Sequence, residues 1–460
     1  MIKTQLPIIV LTAAASFFAG QLDAAEKPNI LFIFADDWGW GDLGCHGHPY
    51  LKTPHLDRLA SEGTEFYQFT AASGVCSPSR AAVMTGHFPA RHNIHGHFAT
   101  VASHAKRGMP DWLDPEAVLL PRLLRNTGYA TAHYGKWHLT NIMVKDAPLP
   151  SEYGYDDYGA FNCSGPQMPV HSDVKRSIKF IEKSHAEGKP FFINLWIHEP
   201  HTPHYPKPEY LKKFAHLKNE PDKIYAAVLA HADARIGELL ATLDRLKLAD
   251  NTLVIFSSDN GPENTGPAIR RIVDDQSTGP GLGSFASVGT TGGHRGRKRS
   301  LLQGGIGVPF IARWPGRIAA GKIDDTTPIT AVDLLPTFCK LAGAALPEDY
   351  TPDGVDQSDA LFGKPSSART KPIFWQWNFA SNHGANWPAH AVRAGEFKLL
   401  LGKDPTKQIE LFRFPQDRLE KHNLQSEESK EVERLKALLD HWKTTLPKKP
   451  NEDCLSEERI

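Results

Sequence analysis

Four short apolar runs in this chain end in polar chemistry, and that repeated junction constrains the fold more than any other feature. Ile30-Leu31-Phe32-Ile33-Phe34 stops at Asp36-Asp37, and Thr252-Leu253-Val254-Ile255-Phe256 stops at Ser257-Ser258-Asp259-Asn260-Gly261. Tyr129-Ala130-Thr131-Ala132-His133-Tyr134 stops at Gly135-Lys136-Trp137-His138, and Phe191-Phe192-Ile193-Asn194-Leu195-Trp196 stops before His198-Glu199-Pro200-His201. Continuous β-rich runs of this kind belong to strands buried on both faces. Helix-like segments alternate with them, so the class is an α/β sandwich. In an open parallel sheet ligands bind at the carboxyl ends of the strands, so one site can gather all four junctions although they are far apart in sequence.

The residues delivered there are chemically specific. Asp36, Asp37 and Asp259 are carboxylates and Asn260 supplies an amide oxygen, hard donors that suit calcium or magnesium. The chain lacks the clustered Cys and His of a structural zinc site. Singly, Asp-Asp after a strand also reads as a turn or cap, and Asp-Asn-Gly as a turn; their joint occurrence carries the metal reading. Separately, Cys76-Ser77-Pro78-Ser79-Arg80 follows Gly74 and enters a helix-forming series that Gly86 ends. A lone cysteine is often only a small buried hydrophobe. Here it stands near a helix N-terminus, where free N–H groups favour an anion, and Arg80 adds a charge one turn on.

Cys76-Ser77-Pro78-Ser79-Arg80 resembles the signature of the type I sulfatases, in which the cysteine is oxidised to formylglycine, an aldehyde whose hydrate is the nucleophile. Asp36-Asp37, Gly135-Lys136-Trp137-His138, Pro200-His201-Thr202-Pro203, Asp259-Asn260-Gly261 and Lys298 follow the order and rough spacing of that family. So does connecting text such as Thr53-Pro54-His55-Leu56-Asp57 and Gly305-Ile306-Gly307-Val308-Pro309-Phe310. The chain resembles secreted bacterial arylsulfatase and N-acetylgalactosamine-6-sulfatase-like members. Two departures stand out: Leu302-Gln303-Gly304-Gly305 where Tyr-Glu-Gly-Gly is usual, and His198 where many members carry an apolar residue.

The resemblance implies an alkaline phosphatase-like sandwich: a large mixed, mostly parallel sheet between helices, with a smaller C-terminal subdomain of antiparallel sheet and terminal helix. It implies a metal set of Asp36, Asp37, Cys76, Asp259 and Asn260 holding one calcium or magnesium, and catalytic groups Cys76, Arg80, Lys136, His138, His201 and Lys298. In that scheme the hydrate attacks sulfur with Asp259 accepting its proton, and His201 with Lys298 protonates the leaving alcohol. His138 then takes the proton of the second hydroxyl, and collapse to the aldehyde expels sulfate. The expected substrate is a sulfated carbohydrate, and the expected partner a formylglycine-generating maturation enzyme. Two alternatives are a phosphomonoester or phosphonate hydrolase of the same superfamily, and a non-catalytic calcium-dependent glycan-binding relative. Asp259-Asn260 where a two-metal set normally shows an Asp-His pair speaks against the first, and the retained nucleophile motif against the second.

Composition sets the remaining bounds. A chain of 460 residues with 52 basic and 52 acidic side chains has no net field to attract nucleic acid or an anionic membrane. Residues 1–25 open with Lys3, an apolar stretch and small residues, as in a secretory signal peptide, so export to the periplasm or exterior is expected. No later segment reads as a membrane span. Five cysteines are present, and conversion of Cys76 leaves four, which can form zero, one or two disulfides. Residues 26–364 read as the catalytic domain and 365–460 as the antiparallel subdomain, with strands around 372–377, 390–400 and 409–412 and a helix over Glu428–Trp442. Tyr225–Leu246 is the clearest amphipathic helix. The Gly-rich run between Gly261 and Gly296 reads as a loop over the site mouth. His87, His92, His95, His97, Arg91, Arg270, Arg271, Trp375 and Trp377 are candidates to line a sugar pocket.

Overall fold

Strand β1 (Asn29–Ala35) is buried at every residue, and the rest of the molecule is layered around it. A computed structural model of the chain describes residues 27–264, 287–364, 369–379 and 387–459. The expected signal peptide, Arg270, Arg271 and the Gly279–Gly283 part of the expected mouth loop lie outside the described residues. The remaining strands are β2 (Thr64–Phe66), β3 (Phe69–Thr70), β4 (Ala130–Lys136), β5 (Asp157–Phe161), β6 (Phe191–Trp196), β7 (Thr252–Ser258), β8 (Phe310–Arg313), β9 (Lys322–Asp324), β10 (Ile329–Thr330), β11 (Ile373–Gln376), β12 (His390–Ala394), β13 (Phe397–Leu401) and β14 (Ile409–Arg413).

The large sheet has the order β5-β4-β6-β1-β7-β8-β2-β9. The four strands singled out in the sequence are consecutive neighbours, β4-β6-β1-β7, and all pair in parallel. Only β8 runs against its neighbours, so the sheet is mixed and mostly parallel. Because side chains alternate along a strand, Ile30, Phe32 and Phe34 enter one apolar core and Leu31 and Ile33 another. The first contains Val83 and Met84 of the helix Cys76–Thr85 and Leu334 and Phe338 of the helix Leu334–Ala342. The second holds Phe180 and Ile181 of the helix Asp173–Ala186 and Leu239, Leu240 and Leu243 of the helix Glu220–Arg245. That helix starts before Tyr225, and Leu246, its C-cap, packs partly buried against the same core.

Strands β11-β12-β13-β14 form the expected antiparallel sheet, closed by the helix Ser429–Thr444. The expected strand over 390–400 is two, because Gly395 takes a left-handed φ of 64° and turns the chain between β12 and β13. Phe374 stacks on Trp442 with centroids 4.8 Å apart, and burying a side chain of phenylalanine size is worth roughly 2–3 kcal/mol. Val392, Leu399 and Trp375 belong to the same core as Phe32 and Phe34, so the small sheet continues the first apolar layer. All five cysteines are free thiols. No helix among the described residues is long and apolar enough to cross a membrane.

Candidate active site

Ala35 and Ser258 are register partners in β1 and β7, so Asp36 and Asp259 leave the sheet side by side. The Asp259 N–H donates to the Ala35 carbonyl at 3.1 Å, and the Asp37 N–H donates to Asp259 Oδ1 at 3.2 Å. Asp37 has a left-handed φ of 68°, a conformation Asp tolerates better than most residues. There its carboxylate takes Lys298 Nζ at 2.6 Å and Asn260 Nδ2 at 2.7 Å. Gly261 must be glycine because a Cβ would fall 1.9 Å from the Gly304 carbonyl. Gly135 is fixed likewise: with φ 113°, its Cβ would meet the Trp196 carbonyl at 1.9 Å. That close passage of β4 over β6 delivers Lys136, whose Nζ donates to Asp36 and lies 3.5 Å from Cys76 Sγ.

Cys76 is the first residue of its helix and Gly86, left-handed, caps the other end, as expected. Arg80, one turn in, is fully buried and gives Nε and Nη2 to Asp259 Oδ2 at 3.1 and 2.7 Å. Its guanidinium also lies 5.0 Å from the Trp196 ring centroid. Burial pushes the Cys76 thiol up to about 12, so the unmodified side chain is a neutral thiol and a poor nucleophile. Burial, with Asp36 beside it, pushes the Asp259 carboxyl up to about 7. Asp36 behaves oppositely: burial would raise it, but His201 when protonated, with Lys136 and Arg80, holds it well below the usual carboxylate range.

Two histidines face this corner from different strands. His138 follows β4, takes φ 53°, and its Nε2 meets the Phe98 carbonyl at 3.0 Å, while Nδ1 is buried without a partner. His201 has Nδ1 on the Thr202 carbonyl and Nε2 3.8 Å from Asp37 Oδ2. Burial, then neighbouring charges with Lys136 foremost among those that lower it, keeps each imidazole well below its ordinary value, so both are neutral at pH 7.

Ligand atoms of Asp36, Asp37, Cys76 and His201 all lie within 4.8 Å of one another. Asp36 Oδ1 and Asn260 Oδ1 are buried with no hydrogen-bond partner. Orphan oxygens on hard donors inside a ring of carboxylates fit a hard divalent cation. Asp259 borders this cluster, with one oxygen on the Asp37 N–H and the other on Arg80. Cys76, Lys136, His138, His201 and Lys298 open together onto a cavity of about 480 Å³.

Of the candidates for a sugar pocket, His97 alone among the described residues lines this cavity. Arg91 is paired with Asp353 at 2.7 Å, and His87 and His92 lie against each other with His87 on the Thr351 carbonyl. His95 borders a separate small cavity beside Phe374 and Trp442. Trp375 and Trp377 are core residues, Trp375 donating its indole N–H to the Ala71 carbonyl at 2.8 Å. The cavity instead takes Asn141, Ile142, Met143, Asn162 and Arg299. Arg299 had a signal in the sequence, its place beside Lys298, and it is held by Glu263 at 2.7 Å. His198, one of the two departures, forms part of the wall, with Nε2 on the Pro203 carbonyl at 2.8 Å.

Residues 28–344 match the family described as Sulfatase, and residues 293–445 match N-sulphoglucosamine sulphohydrolase, C-terminal. N-acetylgalactosamine-6-sulfatase of Canis lupus familiaris is 32% identical over 408 residues, covering 80% of this chain and 71% of that one. Arylsulfatase A of Bos taurus is 31% identical over 422 residues, covering 83% and 76%. The crystal structure of Ps i-CgsB in complex with k-i-k-neocarrahexaose superposes with a TM-score of 0.71 at 27% identity, over 90% of this chain and 92% of that one. The chain belongs to the sulfatase family and is a type I sulfatase of the alkaline phosphatase superfamily, an enzyme that hydrolyses sulfate esters.

Proposed function

We propose that this sulfatase removes sulfate from a sulfated carbohydrate, with Cys76 matured to formylglycine and one calcium or magnesium ion held by Asp36, Asp37, Asp259 and Asn260 beside it. The observation that carries this is the placement of residue 76: first in its helix, at a cavity, 3.5 Å from Lys136 and ringed by buried charges of both signs. When bound, the cation supplies positive charge against the sulfuryl oxygens. Lys136, Lys298 and Arg80 add fixed positive charge for a group that repels nucleophiles. Asp259, with its carboxyl near 7, accepts the proton of the attacking hydroxyl. Lys298 stands charged beside the leaving sugar oxygen, because Asp37 favours its ammonium against the cost of burial, and it gives its proton as charge builds on that oxygen. His201, neutral, passes that proton across rather than originating it. His138, neutral and with Nδ1 free, takes the proton whose loss lets sulfate depart.

A sugar is favoured by the polar cavity wall of His97, Asn141, Asn162 and Arg299, and by the relatives: one is named for N-acetylgalactosamine-6-sulfate and another was crystallised with a neocarrahexaose. The reading includes export, a maturation enzyme acting on Cys76, and a catalytic domain over 26–364 with a subdomain over 365–460. The test is the mass of the Cys76 peptide from protein made with a maturation enzyme, beside turnover of sulfate and phosphate esters with and without chelator. An aldehyde mass and chelator-sensitive release of sulfate are expected. Full activity with an alkylatable thiol at position 76 would overturn the formylglycine step.

A further inference from the structure

A second cavity, of about 570 Å³, lies where the small sheet meets the rim of the large one, and it shares no residue with the Cys76 cavity. Its wall includes Thr326 and Thr327 after β9, Arg369, Thr370 and Lys371 ahead of β11, and Arg393 of β12. Four arginines are buried to below a tenth exposure among the described residues: Arg80, Arg235, Arg313 and Arg393. The first three face carboxylates: Asp259 for Arg80, Asp173 and Glu199 for Arg235, and Glu62 for Arg313. Arg393 is the exception. Among the described residues its only hydrogen-bond partner is the neutral Gln68 Oε1 and its Nε has none, while the Phe414 ring lies 4.8 Å away.

Burying a guanidinium without a countercharge is costly, because its hydration is lost and nothing replaces it. Arg369 adds to the imbalance: Nη1 is taken by Asp333 at 2.7 Å, but Nη2 is buried without a partner. Lys371 points its Nζ at the Pro352 and Gly354 carbonyls, 2.7 and 3.2 Å away. The wall's carboxylates do not supply the balance. Asp356 accepts from the Ser358 N–H and hydroxyl, Asp359 pairs with Lys364 in solvent, and Glu396 is exposed. Burial, and then Arg369, pulls Arg393 down to about 9, with no carboxylate opposing them.

We propose that this cavity is a second anion site, in which a small tetrahedral oxyanion, free sulfate or a sulfate group carried on a glycan, supplies the countercharge that Arg393 lacks and a partner for Nη2 of Arg369. The inference does not rest on chemistry at Cys76, and binding rather than turnover tests it. Inorganic sulfate is titrated calorimetrically into the wild-type chain, Thr370→Glu and Arg393→Lys. Thr370 is exposed on the cavity wall, so its replacement adds a repelling carboxylate without disturbing the core. Thr370→Glu should bind one equivalent of sulfate fewer than wild type, and Arg393→Lys, which loses the fork of donors, should bind it at least threefold more weakly. Hydrolysis of a small aryl sulfate by Thr370→Glu should stay within twofold of wild type, which keeps this result separate from any failure at Cys76. Equal stoichiometry and affinity in all three proteins would overturn the proposal. A parallel titration with a sulfated tetrasaccharide separates the sources: tenfold tighter binding than free sulfate assigns the site to the glycan, and equal or weaker binding assigns it to the ion.

Discussion

Lysine-carboxylate pairs are buried in two regions, and they are finished differently. Lys398 of β13 lies beneath the small sheet and gives its Nζ to Glu420 at 2.7 Å, the Leu301 carbonyl at 3.0 Å and Gln303 Oε1 at 3.4 Å. Glu420 in turn takes the Gln303 N–H at 2.8 Å, so both charges are fully coordinated by protein. At the ends of β1, β4 and β7, Lys136 on Asp36 and Lys298 on Asp37 are buried as deeply, yet Asp36 Oδ1, Asn260 Oδ1 and His138 Nδ1 have no hydrogen-bond partner among the described residues. That corner opens on a cavity through Lys136, His138 and Lys298 themselves; Glu420 also borders a cavity, but both of its carboxylate oxygens are already taken. Equal burial therefore separates into a closed network that holds the fold together and an open one that waits for a ligand.

The sharpest way to break this comparison is to alter the open corner where it does chemistry. Cys76→Ser should keep the fold and lose turnover by about 10⁴-fold. A serine lacks the second hydroxyl of the hydrate, so it should release at most one equivalent of alcohol and keep a covalent sulfate, visible as an added mass on the peptide. Steady turnover by Cys76→Ser would refute the two-hydroxyl scheme. The closed network should respond in stability instead. Glu420→Gln leaves Lys398 buried without a counter-ion, a loss of about 3–5 kcal/mol in unfolding free energy. Its turnover per folded molecule should match wild type; a selective fall in kcat would mean that the two networks are coupled.

Asp37→Ala tests the open corner from the metal side. It removes a carboxylate that Lys298 and Asn260 share, and should cost about a hundredfold in activity together with about one equivalent of bound calcium or magnesium. Elemental analysis checks the second half. Removing one partner of the Lys398 pair should leave the metal content unchanged. Retention of a full equivalent of metal in Asp37→Ala would move the ion away from the β1 corner.

Much of the open corner was legible in the chain because it is built locally. Each apolar run announces a buried strand, and the polar residues sit within a few positions of its end, so Asp36, Asp37, Lys136, His138, His201, Asp259 and Asn260 converge once β4, β6, β1 and β7 lie side by side. The substrate wall was not legible, since its residues are placed by tertiary contacts. Asn162 comes from the end of β5 and Arg299 is held by Glu263, 36 positions away. Arg91 and His92 looked free beside the nucleophile helix, but Asp353, from far along the chain, engages Arg91. Trp375 and Trp377 looked like platforms for sugar rings; alternation and burial in the small sheet turn them into core. The unbalanced charge of Arg393 has no sequence signal, because only the fold shows that no carboxylate among the described residues pairs with it.

The smallest expected effect asks whether unpartnered atoms alone make a site. His133, on β4 just behind the corner, is fully buried between Trp137 and Trp196, with ring centroids 4.9 Å away on each side. Neither of its nitrogens makes a hydrogen bond of good geometry, yet it lines neither cavity. Burial, with Arg80 nearby, lowers its value to about 3, against about 6.5 in an unfolded chain. A depressed folded value means that its contribution to stability is intact above about pH 6.5 and is lost as pH falls toward 3, because the unfolded state takes up the proton first. His133→Phe keeps the ring contacts and removes that titration. Its unfolding free energy at pH 7 should lie within about 1 kcal/mol of wild type. Its advantage over wild type should grow by about 2 kcal/mol at pH 5, read from denaturant unfolding at the two pH values. Turnover at pH 7 should be unchanged, because an orphan nitrogen without a cavity has nothing to bind. A fall in kcat with the fold intact would instead place His133 among the groups that position Arg80.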